Sequence, residues 1–247
     1  MIGISLFKIG SATIYTYGAF LVIGVLLSCL AMFFMARSSG KQAAYLLDYI
    51  VYTALFGIIG ARISFYIIYH SQFSSFVDIF KIWQGGLISY GGFILGIIAF
   101  ILIVRSTKEK ILPWLDILIV SALLGLAVGR FGSFLSGELA GIAATGSFAI
   151  NGLYPVTLFE AIWNLIIFAF FFIFFMLGNS RIKSGVIAAQ ALAMYSLGRF
   201  FIEFYRAEDK IFIGLSISQI ILIVIFAFAC ILFIKQISFR KKGARNA

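Results

Sequence analysis

Residues 111–138 read ILPWLDILIVSALLGLAVGRFGSFLSGE, and this stretch decides the class of fold. The run 111–135 is almost entirely apolar, and about 20 helical residues are enough to cross the hydrocarbon core of a bilayer. Arg130 lies near the end of this run, and Glu138 follows it. Because a charge at membrane depth is costly, Arg130 is predicted to belong to a functional site.

The composition of the whole chain extends this interpretation. Of 247 residues, 63% are hydrophobic and 11% are charged, whereas soluble proteins average about 25% charged residues. Continuous apolar runs argue against the alternating strands of a membrane barrel. The sequence therefore predicts an all-α polytopic membrane protein, with residues 1–247 forming one domain of seven transmembrane helices. The predicted spans are about 14–36, 44–69, 86–104, 111–135, 156–177, 185–204 and 211–234.

Lys and Arg are distributed unevenly between the two sides of these spans. The connections on one side and the C-terminal tail carry 12 of the 19, whereas the opposite side carries four. The positive-inside rule then places the N-terminus outside and the C-terminus in the cytoplasm, with a short extracytoplasmic loop at about 136–155. The net charge of +10 reflects topology and attraction to anionic membrane lipids, so no nucleic-acid partner is expected.

Two further apolar runs contain an arginine in the same setting. Arg62 follows FGIIGA, and Arg199 follows AMYSLG. The three guanidiniums could pair with acidic residues, and the available ones are Asp116, Glu138, Glu160 and Glu203. A bound phosphate or carboxylate is the alternative that three arginines favour, because the planar guanidinium can make two bonds to such an anion and stays charged in apolar surroundings.

Helical periodicity places these polar residues on shared faces. In the fourth span, Arg130, Ser133 and Gly137 lie on one face, because successive residues are about 100° apart. One face of the sixth span carries Tyr195, Arg199, Glu203 and Arg206. Arg199 and Glu203 are four residues apart and can therefore pair. Polar groups from several helices are predicted to converge in the outer half of the membrane.

Glycines mark the start of the predicted third helix, which opens with GGLISYGG at residues 85–92. Small residues allow close helix packing, and this accounts for most of the glycines. The double glycines could also leave backbone N–H groups open to a ligand, with Tyr90 presented into the same cavity. With one histidine and with Cys29 and Cys230 in separate apolar runs, no metal site is expected.

Five motifs occur in order along nearly the whole chain. They are Tyr17-Gly18, Gly60-Ala61-Arg62, Trp83-Gln84-Gly85-Gly86 with Tyr90-Gly91-Gly92, the stretch from Gly129 to Gly141, and Tyr195-x3-Arg199-x3-Glu203-x2-Arg206. Together they resemble the motifs of the prolipoprotein diacylglyceryl transferase family. The resemblance implies a multi-pass enzyme of the bacterial cytoplasmic (inner) membrane. Such an enzyme moves a diacylglyceryl group from phosphatidylglycerol to the lipobox cysteine of a prolipoprotein signal peptide, without a cofactor.

The resemblance also implies roles for individual residues. Arg130 and Arg199 would hold the lipid phosphate, and Glu138 and Glu203 would orient these arginines. Tyr90 would stand where a family member can carry histidine, although tyrosine, with a reference pKa of about 10, is a poor base. The residues implied to contact substrate are Tyr17, Arg62, Gly91, Gly92, Ser133, Ser136, Gly141, Glu160, Tyr195 and Arg206.

The sequence departs from the family pattern at two places. Ser133 and Ser136 stand where the signature has asparagines, and residues 154–160 read YPVTLFE where His-Pro-x-Gln-Leu-Tyr-Glu is usual. A serine hydroxyl has one donor where an amide has two. Two alternatives therefore stay open: a non-catalytic relative that binds anionic lipid or lipoprotein precursors, and a transporter for a small organic anion.

Overall fold

The computed structural model describes residues 5–9, 12–73, 75–81, 86, 88–177, 184–211 and 213–245. Within these residues the chain is mostly helical. The helices are α1 (Thr16–Ser38), α2 (Leu46–Ile68), α3 (Ser89–Ser106), α4 (Ile111–Leu135), α5 (Val156–Met176), α6 (Val186–Ile202) and α7 (Ile217–Arg245). Short 3-10 turns lie at Ala43–Tyr45, His70–Gln72, Phe76–Phe80 and Glu203–Tyr205.

Two small antiparallel sheets accompany the helices. Strand β1 (Ser5–Ile9) pairs with β2 (Ala12–Tyr15), and β3 (Ala140–Ala143) pairs with β4 (Leu153–Pro155). The expectation of an all-α fold is wrong in this respect. Strands of three to five residues are too short to show the alternation of polar and apolar residues by which a strand is recognised in a sequence.

Five described segments are long and apolar enough to cross a membrane. They are Thr16–Ser38, Ala43–Ile68, Ile111–Leu135, Val156–Met176 and Ile217–Gln236. Helix α3 is apolar but shorter, and α6 has 17 residues. The chain is therefore a mostly helical polytopic membrane protein.

Two helices begin three or more residues later than the sequence predicted. Helix α3 begins at Ser89 because the backbone of the preceding Ile88 is extended (φ −107°, ψ 115°) and Gly86 has a φ of 81°, and a right-handed helix accommodates neither. Helix α7 begins at Ile217 and not at 211. The side-chain oxygen of Gln219 accepts a hydrogen bond from the Ser216 N–H (3.0 Å), and the Ser216 hydroxyl accepts one from the Gln219 N–H (3.2 Å). This reciprocal capping box fixes the start of the helix.

The helices form two compact units. The first comprises Met1–Lys41 and Leu115–Ala247, and the second comprises Gln42–Trp114. In the first unit the buried Asp116 carboxylate accepts hydrogen bonds from the backbone N–H groups of Gly185 and Ala188, both at 2.7 Å. Asp116 thus caps the start of α6, where a negative charge is favourable. The sequence predicted that Asp116 could pair with one of the buried arginines. This is wrong, because its carboxylate oxygens bind the backbone at the start of α6 instead.

Glycines bring α2 and α3 together in the second unit. A Cβ at Gly92 would lie 3.0 Å from the Gly57 carbonyl oxygen, and one at Gly60 would overlap the backbone of Gly91. The predicted close packing of small residues is confirmed for these glycines. Gly91 and Gly92 pack against α2. This packing does not support their predicted contact with substrate, which remains a prediction.

Candidate functional site

Side chains from α4, α5 and α6, and from the segment after α6, meet at one buried carboxylate in the first unit. The Glu160 side chain is 2% exposed. Its Oε2 lies 2.8 Å from Arg130 Nε, and its Oε1 lies 3.0 Å from Arg206 Nη1 and also accepts a hydrogen bond from Arg199 Nη1. We call Arg130, Glu160, Arg199, Glu203 and Arg206 the arginine cluster. The predicted convergence of polar groups from several helices is confirmed.

Glu203 completes the cluster on the side of α6. Arg199 Nη2 lies 3.0 Å from Glu203 Oε2, which confirms the pairing predicted from their spacing. Glu203 is fully buried. The Arg199 guanidinium therefore lies between two buried carboxylates, that of Glu160 on α5 and that of Glu203 in the 3-10 turn after α6.

The three guanidiniums of the cluster face three carboxylates, those of Glu160, Glu203 and the neighbouring Glu208. Glu208 pairs with Arg206 at 2.7 Å, and its side chain is 36% exposed, so solvent weakens that pair. Arg130 is the most exposed arginine of the cluster, at 35%. Within the described residues its two Nη groups form no hydrogen bond, so they can bind an anion that enters the cluster.

Strand β3 holds Arg206 in position. Gly141 forms a β-bridge with Arg206, and the Ala207 N–H donates to the Ala140 carbonyl at 3.0 Å. On its other side β3 pairs with β4, where a Cβ at Gly141 would overlap the Tyr154 carbonyl. Gly141 is therefore needed for strand packing. This packing alone explains why residue 141 is a glycine, and its contact with substrate remains a prediction.

The first turn of α5 is anchored so that Glu160 reaches the cluster. The Thr157 hydroxyl donates to the Glu138 carbonyl at 2.6 Å, and the Val156 N–H donates to the Leu139 carbonyl at 2.9 Å. Glu160 follows one helical turn after these contacts. The segment that follows α4 therefore positions Glu160, which pairs with Arg130 of α4.

Glu138 does not pair with the arginines within the described residues, and its predicted role in orienting them remains a prediction. The carboxylate that contacts Arg130, Arg199 and Arg206 is that of Glu160. The chain leaves α4 at Leu135 and turns at Gly137, whose φ is 85°. This turn removes Glu138 from the helix face that carries Arg130.

The two serines of the signature lie at the C-terminal end of α4. The Ser136 hydroxyl donates to the Gly132 carbonyl at 2.9 Å, and the Ser133 carbonyl accepts hydrogen bonds from the backbone of Ser136 and Glu138. Ser133 is buried, at 3% exposed. Both residues stabilise the end of the helix that carries Arg130, and their contact with substrate remains a prediction.

Three predicted tyrosines lie elsewhere on the helices. Tyr195 is half-buried and lies one turn before Arg199 on α6, whereas Tyr17 is 45% exposed on α1. Tyr90 is 49% exposed in the first turn of α3, in the second unit. Tyr17 and Tyr90 have exposed side chains, and the predicted roles of all three tyrosines remain predictions.

Arg62 is bonded to the backbone of the second unit. It is 4% exposed and donates hydrogen bonds to four backbone carbonyls. They are Asp78 (2.7 Å), Ile79 (2.8 Å), Gly86 (3.0 Å) and Lys81 (3.1 Å). Its guanidinium also lies over the Phe73 ring, 5.1 Å from the centroid. These bonds hold the described residues between α2 and α3, and they give no support to the substrate contact of Arg62, which remains a prediction.

Arg62→Lys is expected to loosen this segment. Lysine keeps the charge but lacks the planar fork that reaches several carbonyls at once, and buried carbonyls left without donors are costly. Trypsin should then cut after Lys81 about tenfold faster than in the wild type, since cleavage follows local opening. Arg105→Lys, at the exposed end of α3, is the matched control and should change nothing. Equal cleavage rates for Arg62→Lys and wild type would contradict this role.

Helices α5 and α6 approach closely at the residue before Arg199. The Trp163 indole N–H donates to the Met194 carbonyl at 3.1 Å, and a Cβ at Gly198 would overlap the indole ring. A larger residue at position 198 would therefore separate Glu160, on α5, from Arg199, on α6.

Gly198→Ala is expected to lower the free energy of unfolding by about 1–3 kcal/mol, the usual cost of overpacking. Thermal unfolding in detergent measures it. Gly129→Ala is the matched control, because Gly129 also precedes an arginine on a helix. The nearest atom to a Cβ there lies 3.4 Å away, on Leu21, so the substitution should be neutral or stabilising. Equal stability of the two variants would show that the indole yields easily.

Sequence reasoning missed three residues that support the cluster. Thr157 anchors α5, Ser216 donates to Glu203 Oε1 at 3.4 Å, and Glu208 pairs with Arg206. Ser216 was accessible from the sequence, because Ser-x-x-Gln before an apolar run is a helix-start pattern. The other two contacts depend on tertiary structure.

Comparison with known proteins agrees with the motifs. The family model described as prolipoprotein diacylglyceryl transferase matches residues 5–235. A phosphatidylglycerol–prolipoprotein diacylglyceryl transferase 1 of Clostridium perfringens is 29% identical, over 96% of this chain and 97% of its own. Transferases of the same name from Clostridium botulinum (strain Langeland) and Clostridium kluyveri are each 30% identical, over 87% of this chain and 89% of their own. This chain belongs to the prolipoprotein diacylglyceryl transferase family.

Proposed function

We propose that this protein transfers a diacylglyceryl group from phosphatidylglycerol to the cysteine thiol of a prolipoprotein lipobox. The names of its relatives give this activity for those proteins. The observation that carries the proposal here is the arginine cluster. Its three guanidiniums share one buried carboxylate, and the Nη groups of Arg130 form no hydrogen bond within the described residues, so the cluster suits a phosphodiester anion.

We further propose that the protein lies in the bacterial cytoplasmic (inner) membrane, with seven spans, the N-terminus outside and the C-terminus in the cytoplasm. The distribution of Lys and Arg supports this orientation. The cluster would then lie toward the outer face, because α4 and α6 end there and α5 and α7 begin there. Phospholipid headgroups and the lipobox of an exported signal peptide are both available at that face.

The reaction exchanges one bond for another at a single carbon. The cysteine thiolate attacks the carbon of the diacylglyceryl group that is bonded to a phosphate oxygen. A C–S bond forms, and the C–O bond between this carbon and the phosphate oxygen breaks. Glycerol phosphate leaves with the electron pair and gains a negative charge, and the thiol proton passes to an acceptor. Arg130 and Arg199 are proposed to stabilise the charge that develops on the departing phosphate oxygens.

The acids of the cluster are proposed to position these donors. Glu160 holds Arg130, Arg199 and Arg206 together, and Glu203 holds Arg199 from the opposite side. Arginines fixed in advance need no reorganisation as charge develops, which is the basis of electrostatic catalysis. Arg130, with its open Nη groups, would make first contact with the lipid phosphate.

A transfer assay tests the proposal. Purified protein in detergent is given phosphatidylglycerol and a lipobox peptide whose cysteine is intact or replaced by alanine. A diacylglyceryl mass gain on the cysteine peptide alone, with release of glycerol phosphate, is the expected result. Lipid binding without any mass gain would instead support a non-catalytic relative, the alternative that Ser133 and Ser136 leave open. Uptake of a labelled organic anion into proteoliposomes, without transfer, would support the transporter.

A further inference from the structure

A buried polar network links the end of α6 to the start of α7. Ser216, Gln219 and Glu203 are each at most 1% exposed. The Ser216 hydroxyl donates to Glu203 Oε1 at 3.4 Å, and the Gln219 side-chain N–H donates to the Phe200 carbonyl at 3.4 Å. The capping box of α7 is therefore attached to α6 at two points.

Capping alone does not account for Ser216. A capping hydroxyl has only to accept a hydrogen bond, and the Gln219 N–H supplies it at 3.2 Å. The hydroxyl proton is left for another acceptor, and it goes to Glu203. A serine here serves two groups at once, whereas aspartate, an equally good cap, has no proton to donate and would repel Glu203.

The contact with Ser216 fixes how the Glu203 carboxylate is turned. Oε1 accepts from Ser216 at 3.4 Å, and Oε2 lies 3.0 Å from Arg199 Nη2 as an ion pair, without a hydrogen bond among the described residues. The terminal torsion of a glutamate has a broad energy minimum, so an ion pair alone leaves the carboxylate able to rotate. The hydrogen bond from Ser216 to Oε1 therefore favours the orientation in which Oε2 lies beside Arg199.

We propose that Ser216 is a positioning residue that acts through Glu203 to hold Arg199 in the arginine cluster. This inference rests on the proposed function, because the role of Arg199 in stabilising the departing phosphate is part of it. Ser216 itself touches no reacting atom. Loss of the Ser216 hydroxyl is therefore expected to lower kcat. The KM for phosphatidylglycerol should change little, because Arg130 and Arg206 still bind the lipid.

Substitution of Ser216 tests this role. Ser216→Ala should lower kcat about tenfold and leave the KM for phosphatidylglycerol within about twofold, because a hydrogen bond to a charged group is lost. Ser216→Thr keeps the hydroxyl and should restore kcat to within about twofold of wild type. Ser121→Ala is the matched control, since Ser121 is also buried but donates only to the Leu118 carbonyl of its own helix. Assays are run well below the unfolding temperature of each variant.

A double-mutant cycle separates positioning from loss of the helix cap. In a Glu203→Met background, Ser216→Ala should cost much less than tenfold, because methionine is of similar size and leaves no oxygen for the Ser216 hydroxyl to orient. A wild-type kcat in Ser216→Ala, no rescue by threonine, or the full tenfold loss in the Glu203→Met background would each overturn the inference. Arg199→Ala is measured in the same assay. If the wild-type protein transfers no diacylglyceryl group, the proposed function fails. If Arg199→Ala retains wild-type turnover, the role of Arg199 fails and the inference fails with it. If Arg199→Ala is inactive while Ser216→Ala is normal, only the inference fails.

Discussion

Arg199→Ala is expected to lower diacylglyceryl transfer by about 10²–10³-fold, the usual cost of removing one donor that stabilises developing charge. Arg199 is the one arginine of the cluster that bridges both of its buried carboxylates, Glu160 and Glu203. Its loss removes a fixed positive charge from the site that water does not replace. Arg199→Lys should recover only part of the activity, because lysine cannot contact Glu160, Glu203 and a phosphate in one plane.

The measurement is turnover in the lipobox-peptide assay, with folding checked by size-exclusion chromatography of the detergent-solubilised protein. Arg105→Ala is the control, since Arg105 is exposed in the last turn of α3 and pairs with no residue of the cluster. A folded Arg199→Ala protein with turnover within about threefold of wild type would show that Arg199 does not stabilise the leaving phosphate.

Glu160→Ala is expected to have the largest effect on stability. It would leave three guanidiniums close together with one buried carboxylate among them, and removal of one member of a buried ion pair costs about 3–5 kcal/mol. Thermal unfolding in detergent measures the loss. Glu160→Gln keeps the volume and one acceptor oxygen and should be destabilised less.

Glu208→Ala is the matched control for this prediction. Glu208 also pairs with Arg206, at 2.7 Å, but lies at the surface, where an ion pair is worth about 0–1 kcal/mol. Its removal should therefore change the unfolding temperature little. Equal, small losses for Glu160→Ala and Glu208→Ala would mean that the arginine cluster does not depend on Glu160.

The sequence predicted the features that arise from local periodicity. The apolar run 111–135 coincides with α4, and the spacing of Arg199 and Glu203 produced the expected ion pair. The helix faces also indicated that Arg130 and Arg199 belong to one site. These features depend on helix geometry, which is the same wherever the helix lies.

The contacts that the sequence did not predict belong to residues whose partners are set by turns and tertiary structure. Arg62 was expected to bind an anion, but the partners that the structure shows are the backbone carbonyls of Asp78, Ile79, Lys81 and Gly86, which no side-chain pattern reveals. Glu138 was assigned the contacts that Glu160 makes, because the turn at Gly137 could not be read from helical spacing. Any residue type provides carbonyl acceptors, so they leave no trace in the sequence.

The affinity of Arg130→Ala for phosphatidylglycerol, titrated in mixed micelles, shows whether the arginine cluster is the phosphate site. The open Nη groups of Arg130 are proposed to contact the lipid phosphate before any chemistry occurs. We expect a loss of about tenfold or more in affinity, since a charge-assisted bidentate contact is removed. Arg105→Ala should bind as the wild type does. Wild-type affinity in a folded Arg130→Ala protein would mean that the arginine cluster is not the phosphate site.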